Sequence, residues 1–402
     1  MLGSIYIGLS GLTAYAKGLQ TISNNVTNLN TPGFKATSFN FADSFSYGGL
    51  GSSFSRYVSG RQSGSGVRYG AETIDFKQGD LRQSGGDLDL AIQGSGMLTL
   101  LNGERVYYTR TGQFTVDKDG FIADSATGYR LGVLNSSGQA VGVSVDANRT
   151  SPPVATTQIT FDGNLSSSAL DAVNVADIAV YDSSGKKHVW KATFEQVGPT
   201  APGEWTVTVT DENGAVITDQ ITPPRLKFTG SSVDPTSLSL TIATTPTGAD
   251  PLSVVLDFSG DVDSFSSGTL STLRAASVDG RGLGSLIGVS IEDTGELKLT
   301  YSNQQSEILG FVAIADVRDP QELERIGAGL YRDKGGAGIR LLGSGQDGLG
   351  TLVSHQIEAS NVDLSQQFGD LILVQRGFQA SSQVISISND MIQQLFGIRG
   401  QG

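Results

Sequence analysis

Four apolar residues near the N-terminus, Ile5, Leu12, Leu19 and Val26, stand seven positions apart, and Leu9 and Ala16 follow the first two by four. Near the C-terminus Leu364, Leu371, Phe378, Ile385 and Ile392 repeat the interval, with Phe368 and Phe396 at the matching offsets. A seven-residue apolar repeat keeps one seam of a slightly underwound helix against a partner. One such stripe alone is also what the core face of an ordinary amphipathic helix looks like. Two features favour assembly. The repeat lies at both ends of the chain, with no comparable helix between them. The opposite faces are polar but nearly uncharged: only Lys17 and Lys35 precede Asp43, and after Asn361 the charges are Asp363, Asp370, Arg376, Asp390 and Arg399. A solvated helix of this length normally carries i,i+4 charge pairs. The spacing therefore predicts terminal helices that pair as a coiled coil. Its assembly seam runs through Ile5, Leu9, Leu12, Leu19, Val26, Leu364, Phe368, Leu371, Phe378, Ile385 and Ile392.

What lies between the ends cannot repeat that pattern, because it is rich in glycine: 53 of 402 residues, against a usual ~7%. Many turns and short strands follow from that. The chain carries a net charge of −13 and no basic block, which argues against a nucleic-acid partner. With no cysteine and only two histidines, His188 and His355, thiol chemistry and histidine-rich metal sites are excluded. No stretch approaches the roughly 18 apolar residues of a membrane span, and no membrane insertion is expected. No Lys or Arg precedes Lys17, so a cleaved secretory signal is not expected either.

In chain order, Asn-rich sequence leads into Thr31-Pro32-Gly33, which ends the first helix: Pro32 has no amide to donate and Gly33 permits a left-handed turn. Residues 31–70 alternate Phe39, Phe41 and Phe45, then run into Gly48–Ser53 and Ser63–Gly66, and read as a Gly/Ser-rich connector with aromatic anchors. From Glu72 the period becomes two. Ile74 and Phe76, then Leu88, Leu90 and Ile92, then Val106–Arg110 and Phe114–Val116 read as half-buried antiparallel strands. From about 147 the composition shifts to Thr, Pro, Val and Ser. Asp182–Gly185 and Asp211–Gly214 separate apolar runs there as hairpin turns. The earlier style returns by Leu297. The expected architecture is mainly β with α-helical termini. It has a terminal coiled-coil domain (1–30 plus 358–402), a connector (31–70), a discontinuous β domain (71–146 plus 271–357) and an inserted outer β barrel or sandwich (147–270).

Motifs for chemistry are weak. Gly343–Gly348 fits G-x-G-x-x-G, but no βαβ unit surrounds it. Asp117–Gly120 and Asp261–Asp263 lack the ligand ladder of a calcium loop. Trp190 and Trp205 are most simply core residues. Nothing assembles a nucleophile, a base and an oxyanion site, so no catalytic, cofactor-binding or metal residue is assigned.

The run Ser23–Lys35, with Asn24, Asn25, Asn28, Thr31, Gly33, Phe34 and Lys35, resembles the N-terminal motif of bacterial flagellar rod, hook and hook-associated proteins. Glu358, Ser360, Asn361 and Val362, continuing to Gln375 and Arg376, resemble their C-terminal motif. Gly79–Leu81, Leu88–Gly94 and Tyr108–Phe114 are similar to the first β domain of hook and distal-rod members, although Met97 stands where the family usually has an aromatic. Residues 147–270 match nothing in that pattern, and their bulk favours a hook-type over a rod-type member. The resemblance implies a non-enzymatic structural subunit with no cofactor. It would polymerise with itself into a bendable extracellular tube, meet rod, hook-cap and hook-filament junction proteins, and be exported by the flagellar apparatus. Two alternatives remain open: a distal-rod or hook-associated subunit, and, from another class, a surface adhesin or glycan-binding protein using residues 147–270.

Overall fold

The computed structural model describes residues 2–46, 63–198, 201, 203–218, 224–246 and 248–399. A helix stands at each end, α1 (Leu2–Thr27) and α2 (Leu364–Arg399), and the described residues between them are strands, turns and three short 3-10 segments. Within α1, the Thr13, Thr21 and Thr27 hydroxyls donate to carbonyls four residues back. The helix stops where its sequence says it should. Thr31 N–H donates to Asn28 O, and Gly33 takes φ +66°, a value that suits a residue without Cβ.

The connector expected over 31–70 is, in its described part, a β-hairpin. Strand β1 (Thr37–Ser46) pairs antiparallel with β2 (Ser63–Ile74) in a register that sets Thr37 opposite Ile74 and Phe41 opposite Tyr69. Gly48–Ser53 lie outside the described residues. The aromatics explain why Gly/Ser sequence becomes strand. Phe39 stacks on Tyr69 at 5.6 Å, Phe41 meets Phe39 edge-on at 5.5 Å, and Tyr15 of α1 meets Phe41 at 4.9 Å. Tyr69 Oη also bonds Thr21 Oγ1 at 2.7 Å.

The chain divides into two compact units. The first comprises Met1–Ala147, Val289–Lys298 and Ile308–Gly402. Its core is built by period-two strands whose inward residues are Leu90, Ile92, Leu98, Leu100, Phe114, Leu131 and Val133, joined by Leu297, Val312, Ile314 and Leu352. Met97 packs in a smaller cluster with Tyr108, Leu323 and Tyr331.

The second unit comprises Asn148–Gly288 and Leu299–Glu307. Val173–Tyr181, Lys187–Gln196 and Glu204–Thr210 form an antiparallel meander. Asp182 closes its first turn by accepting from the Ser184 and Lys186 amides at 2.9 and 3.0 Å, with Gly185 at φ +83°. Trp190, Trp205, Phe161, Phe194 and Phe258 fill the interior, the three phenylalanine rings 4.8–6.1 Å apart. The unit reaches past the composition change near 270: Arg274–Val278 pairs with Gln158–Asn164 as one of its own strands.

Candidate assembly site: the terminal helices and their clasp

α1 and α2 run antiparallel. Asn25 Nδ2 donates to Gln367 Oε1 at 2.9 Å, and further along Tyr15 meets Gly377, Gly11 meets Ser381 and Gly8 meets Ile385. Small residues on one helix admit side chains of the other. A Cβ on Gly11 would stand 2.5 Å from Ser381 Oγ, and one on Gly377 would run into the Tyr15 ring. Axial separation depends on the side chains at the crossing, so glycine and serine bring the two backbones close. The cost is about 1 kcal/mol of helix propensity per glycine, which packing must offset.

This arrangement leaves much of the expected seam uncovered within the chain. On α1, Leu9 and Leu19 are exposed, and Ile5, Leu12 and Val26 are half-buried. On α2, Leu371, Ile385 and Ile392 are half-buried on the face shared with Ser381 and the buried Val374 and Ser388, which is the side toward α1. Leu364, Phe368, Phe378 and Phe396 are exposed, Phe396 at 68%. Thus three of the α2 residues serve the chain's own helix pair and Ile5, Leu12 and Val26 of α1 are partly covered, while Leu9, Leu19, Leu364, Phe368, Phe378 and Phe396 are left exposed.

The motif residues do something else: they clasp the two ends to the β body. Glu358, wholly buried, accepts from Lys35 Nζ at 2.5 Å and the Gly79 amide at 2.8 Å on one carboxylate oxygen, and from Arg110 Nε at 3.0 Å on the other. Its carbonyl accepts from Gly33 N–H at 2.7 Å, and its own N–H donates to Thr111 Oγ1 at 3.1 Å. Lys35 Nζ also donates to Lys77 O, and Arg110 to Gly96 O and Ile92 O. Burial pushes the Lys35 ammonium below its ordinary value while Glu358 draws it back up. Beside this trio, Asn361 Oδ1 accepts from Ala36 N–H at 2.7 Å while its Nδ2 donates to Asp75 O and Lys77 O. Asn25 brackets Thr37, accepting its N–H at 2.9 Å and donating to its carbonyl at 2.8 Å. Arg325 lies over the Phe34 ring at 4.6 Å and donates to Lys35 O.

The remaining motif residues shape turns or face water. Asn28 Nδ2 donates to Asn24 O, Thr31 Oγ1 to Asn28 Oδ1, and Val362 N–H to Ser360 Oγ; Val362 is buried, whereas Gln375 and Arg376 are exposed. Arg110 and Arg325 were not singled out from the sequence as partners of the ends. The signal for Arg110 was a lone cation in the period-two strand 106–116, where a buried position demands a counter-charge. Such a buried trio adds little net stability over apolar residues but is costly to break, which suits it to fixing one geometry.

Among the described residues no group of three His, Asp or Glu side chains could hold a metal, and no helix is long and apolar enough to cross a membrane. His188 is held by Asp182 Oδ2 at 3.0 Å beside a turn, with no nucleophile on its other nitrogen, which faces Glu212 at 3.8 Å.

Two end helices clipped to a β body, both with large apolar side chains left to water, are the build of a self-assembling structural subunit. Four family models match in order along the chain: "Flagella basal body rod protein" over 5–35, "Flagellar hook protein FlgE/F/G D1 domain" over 91–168, "Flagellar basal body protein FlaE D2 domain" over 145–309, and "Flagellar basal body rod FlgEFG protein C-terminal" over 353–398. The chain belongs to this family of flagellar hook and rod proteins. Its relatives include the flagellar hook protein FlgE of Treponema pallidum, 29% identical over 99% of this chain and all of that one. Those of Escherichia coli and Salmonella typhimurium are each 28% identical over 97% of this chain and 98% of theirs. Among solved structures, the Helicobacter pylori flagellar hook protein FlgE2 aligns with a TM-score of 0.47 at 15% identity, covering 67% of this chain and 98% of that chain.

Proposed function

We propose that this chain is the structural subunit of a flagellar hook, polymerising helically through its terminal helices into a tube that bends while it transmits torque. The observation that carries the reading is the exposure of large apolar side chains on both α1 and α2, in a chain whose relatives over nearly full length are hook proteins. Leaving each such side chain in water forgoes roughly 1.5–3 kcal/mol of burial, and a second copy is what can recover it. The reading places the protein outside the cell in the flagellum. Rod, cap and junction proteins are its further contacts, the flagellar export apparatus is its route, and it has no catalytic role. The glycan-binding alternative needs an exposed aromatic cluster in residues 147–270, and the tryptophans and phenylalanines 161, 194 and 258 there are buried.

Electron microscopy of the purified protein under polymerising conditions tests it. Curved tubes are the expected outcome. Straight, rigid tubes would point to a rod-type subunit, and an absence of polymer with folded monomer would refute self-assembly.

A further inference from the structure

Asparagine followed by glycine occurs twice in the chain, at Asn102-Gly103 and at Asn213-Gly214. Both pairs are exposed at turns, but the fold holds them differently. Asn213 lies in a turn tied from within. Asp211 Oδ1 accepts from the Asn213 and Ala215 amides at 2.9 and 2.8 Å, and the Gly214 N–H donates to Asp211 O at 3.0 Å. Asn102 is the last residue of the strand Met97–Asn102, paired with Arg105 across the loop Gly103-Glu104. Among the described residues, neither the Asn102 side chain nor the Gly103 N–H has a hydrogen-bond partner. Gly103 takes φ +61°, as the first residue of a tight hairpin loop often does, and a Cβ there would meet nothing within 4 Å.

We propose that Asn102 is a self-modification site, its side-chain amide converted in the folded protein to a carboxylate through a succinimide closed by the Gly103 backbone nitrogen. The Gly103 nitrogen gives its proton to hydroxide and attacks Asn102 Cγ. The Cγ–Nδ2 bond breaks, and Nδ2 leaves as ammonia. Water then opens the five-membered ring at either carbonyl, giving aspartate or isoaspartate. One water is consumed and one ammonia released, with nothing oxidised or reduced. The reaction needs neither an enzyme nor a second copy of the chain, so it stands apart from the hook-subunit reading. Two differences favour Asn102 over Asn213. The Gly103 N–H is open to base, whereas that of Gly214 is bonded beside a carboxylate that opposes the amide anion. Closing the ring also turns the asparagine out of its backbone conformation. At Asn102 this breaks only the outermost pair of a hairpin, and terminal pairs open at least cost. At Asn213 it breaks the network centred on Asp211, whose carboxyl the Ala215 and Asn213 amides hold below its ordinary value. Either product sets a carboxylate opposite Arg105, and isoaspartate adds a methylene to the backbone, which a two-residue loop in fixed register does not accommodate. The strand so altered carries Leu98 and Leu100 of the first unit's core.

Full-length monomer held at mildly alkaline pH tests this, with the peptides that carry residues 102 and 213 followed by mass spectrometry over time. In folded protein the Asn102 peptide should gain the mass difference between an amide and an acid and resolve into aspartate and isoaspartate forms. It should do so roughly five-fold or more faster than the Asn213 peptide, the factor that one retained hydrogen bond makes in an opening equilibrium. In denaturing urea both sites are simply asparagine before glycine, and their rates should converge. Equal rates in the folded protein, a faster Asn213, or an Asn102 that reacts only in urea overturns the proposal. Asn102→Gln, which would have to close a six-membered ring, should stay unmodified. If the mass gain persists in that variant, the reacting amide lies elsewhere in the peptide and the proposal fails.

Discussion

The second unit and the terminal helices handle apolar residues in opposite ways. In the second unit the largest side chains are inside, Trp205 at 1% exposure, and the carboxylates are satisfied locally by their own turns. In the helices the contact mixes Gly8, Gly11, Gly377, Ser381, Asn25 and Gln367 with Tyr15 and Ile385, and many large apolar side chains, Leu9, Phe368, Leu373 and Phe396 among them, are left outside. The first pattern is complete within one chain. The second leaves large apolar side chains uncovered within one chain. What joins the ends to the body is neither pattern but a buried charge cluster, which orients more than it stabilises.

The sharpest way to break this comparison is at the cluster. Glu358→Gln leaves Lys35 and Arg110 buried without their counter-charge and should cost about 3–5 kcal/mol of the stability of the first unit. The chain's two tryptophans, Trp190 and Trp205, both lie in the second unit, so their fluorescence follows that unit, whereas helical circular dichroism follows α1 and α2. The helical melt should move down sharply and the tryptophan melt should stay. Equal shifts in both would show that the two regions unfold as one and that the contrast between them is only one of composition.

Much of this organisation was legible before the structure. Heptads placed α1 and α2, Pro32 and Gly33 placed the end of the first helix, and the aspartate–glycine turns placed the meander of the second unit. The faces of the helices were not legible in the same way. Heptad logic gives the large apolar residues to the nearest partner, and the glycines of α1 read only as weak helix formers. In the fold they are what lets Ser381 and Ile385 into the contact. Ser63–Gly66 read as linker because glycine and serine carry little strand propensity; their pairing comes from β1, and the aromatics further along the hairpin hold it to α1. The Glu358 cluster joins residues 248 and 323 positions apart, a distance over which local pattern says nothing. Its members were visible only as motif residues and a strand arginine, without a reason for being together.

Acid should sharpen the contrast by a smaller amount. Burial raises the Asp182 carboxyl, but hydrogen bonds from Ser184, His188 and the amides of Lys186 and Ser184 outweigh it and hold it well below the usual range. Thr236, through its hydroxyl and its amide, and Thr229 bring Asp234 down to about 2. Asp162, Glu204, Asp211, Asp257 and Asp279 of the same unit are lowered too, whereas in the first unit the lowered carboxylates among the described residues are Glu324 and Asp333. A carboxylate whose folded value is depressed stabilises the fold above its unfolded value and loses that contribution as pH falls toward the folded one. Lys35 is lowered in the other sense, and below its folded value it is protonated in both states, so acid leaves its contribution flat. The tryptophan melt of monomer should therefore fall more steeply than the helical melt between about pH 4 and pH 2. A steeper fall in the helical signal would mean that the turn aspartates of the second unit do not govern acid stability.

The smallest effect is expected at the start of α2. Asp363 Oδ1 accepts from the Ser365 and Gln366 amides at 2.8 and 3.2 Å, which makes it the N-cap of a helix that has no other acidic residue in its first turn. Its charge also faces the positive end of the helix dipole. Asp363→Ala should cost about 1 kcal/mol. Because Asp363 is exposed and lies between the clasp residue Asn361 and the α1-bonded Gln367, the change tests what holds the first turn of α2. If local capping does, amide exchange at Ser365 and Gln366 should quicken roughly five-fold in monomer, that 1 kcal/mol expressed as an opening equilibrium. Asp363→Asn keeps an acceptor and removes only the charge, so it should recover most of the protection. If exchange is unchanged in both variants, the turn is held from outside, by Asn361, Gln367 and α1. The helix pair would then be a rigid extension of the clasp and not a helix that stands on its own cap.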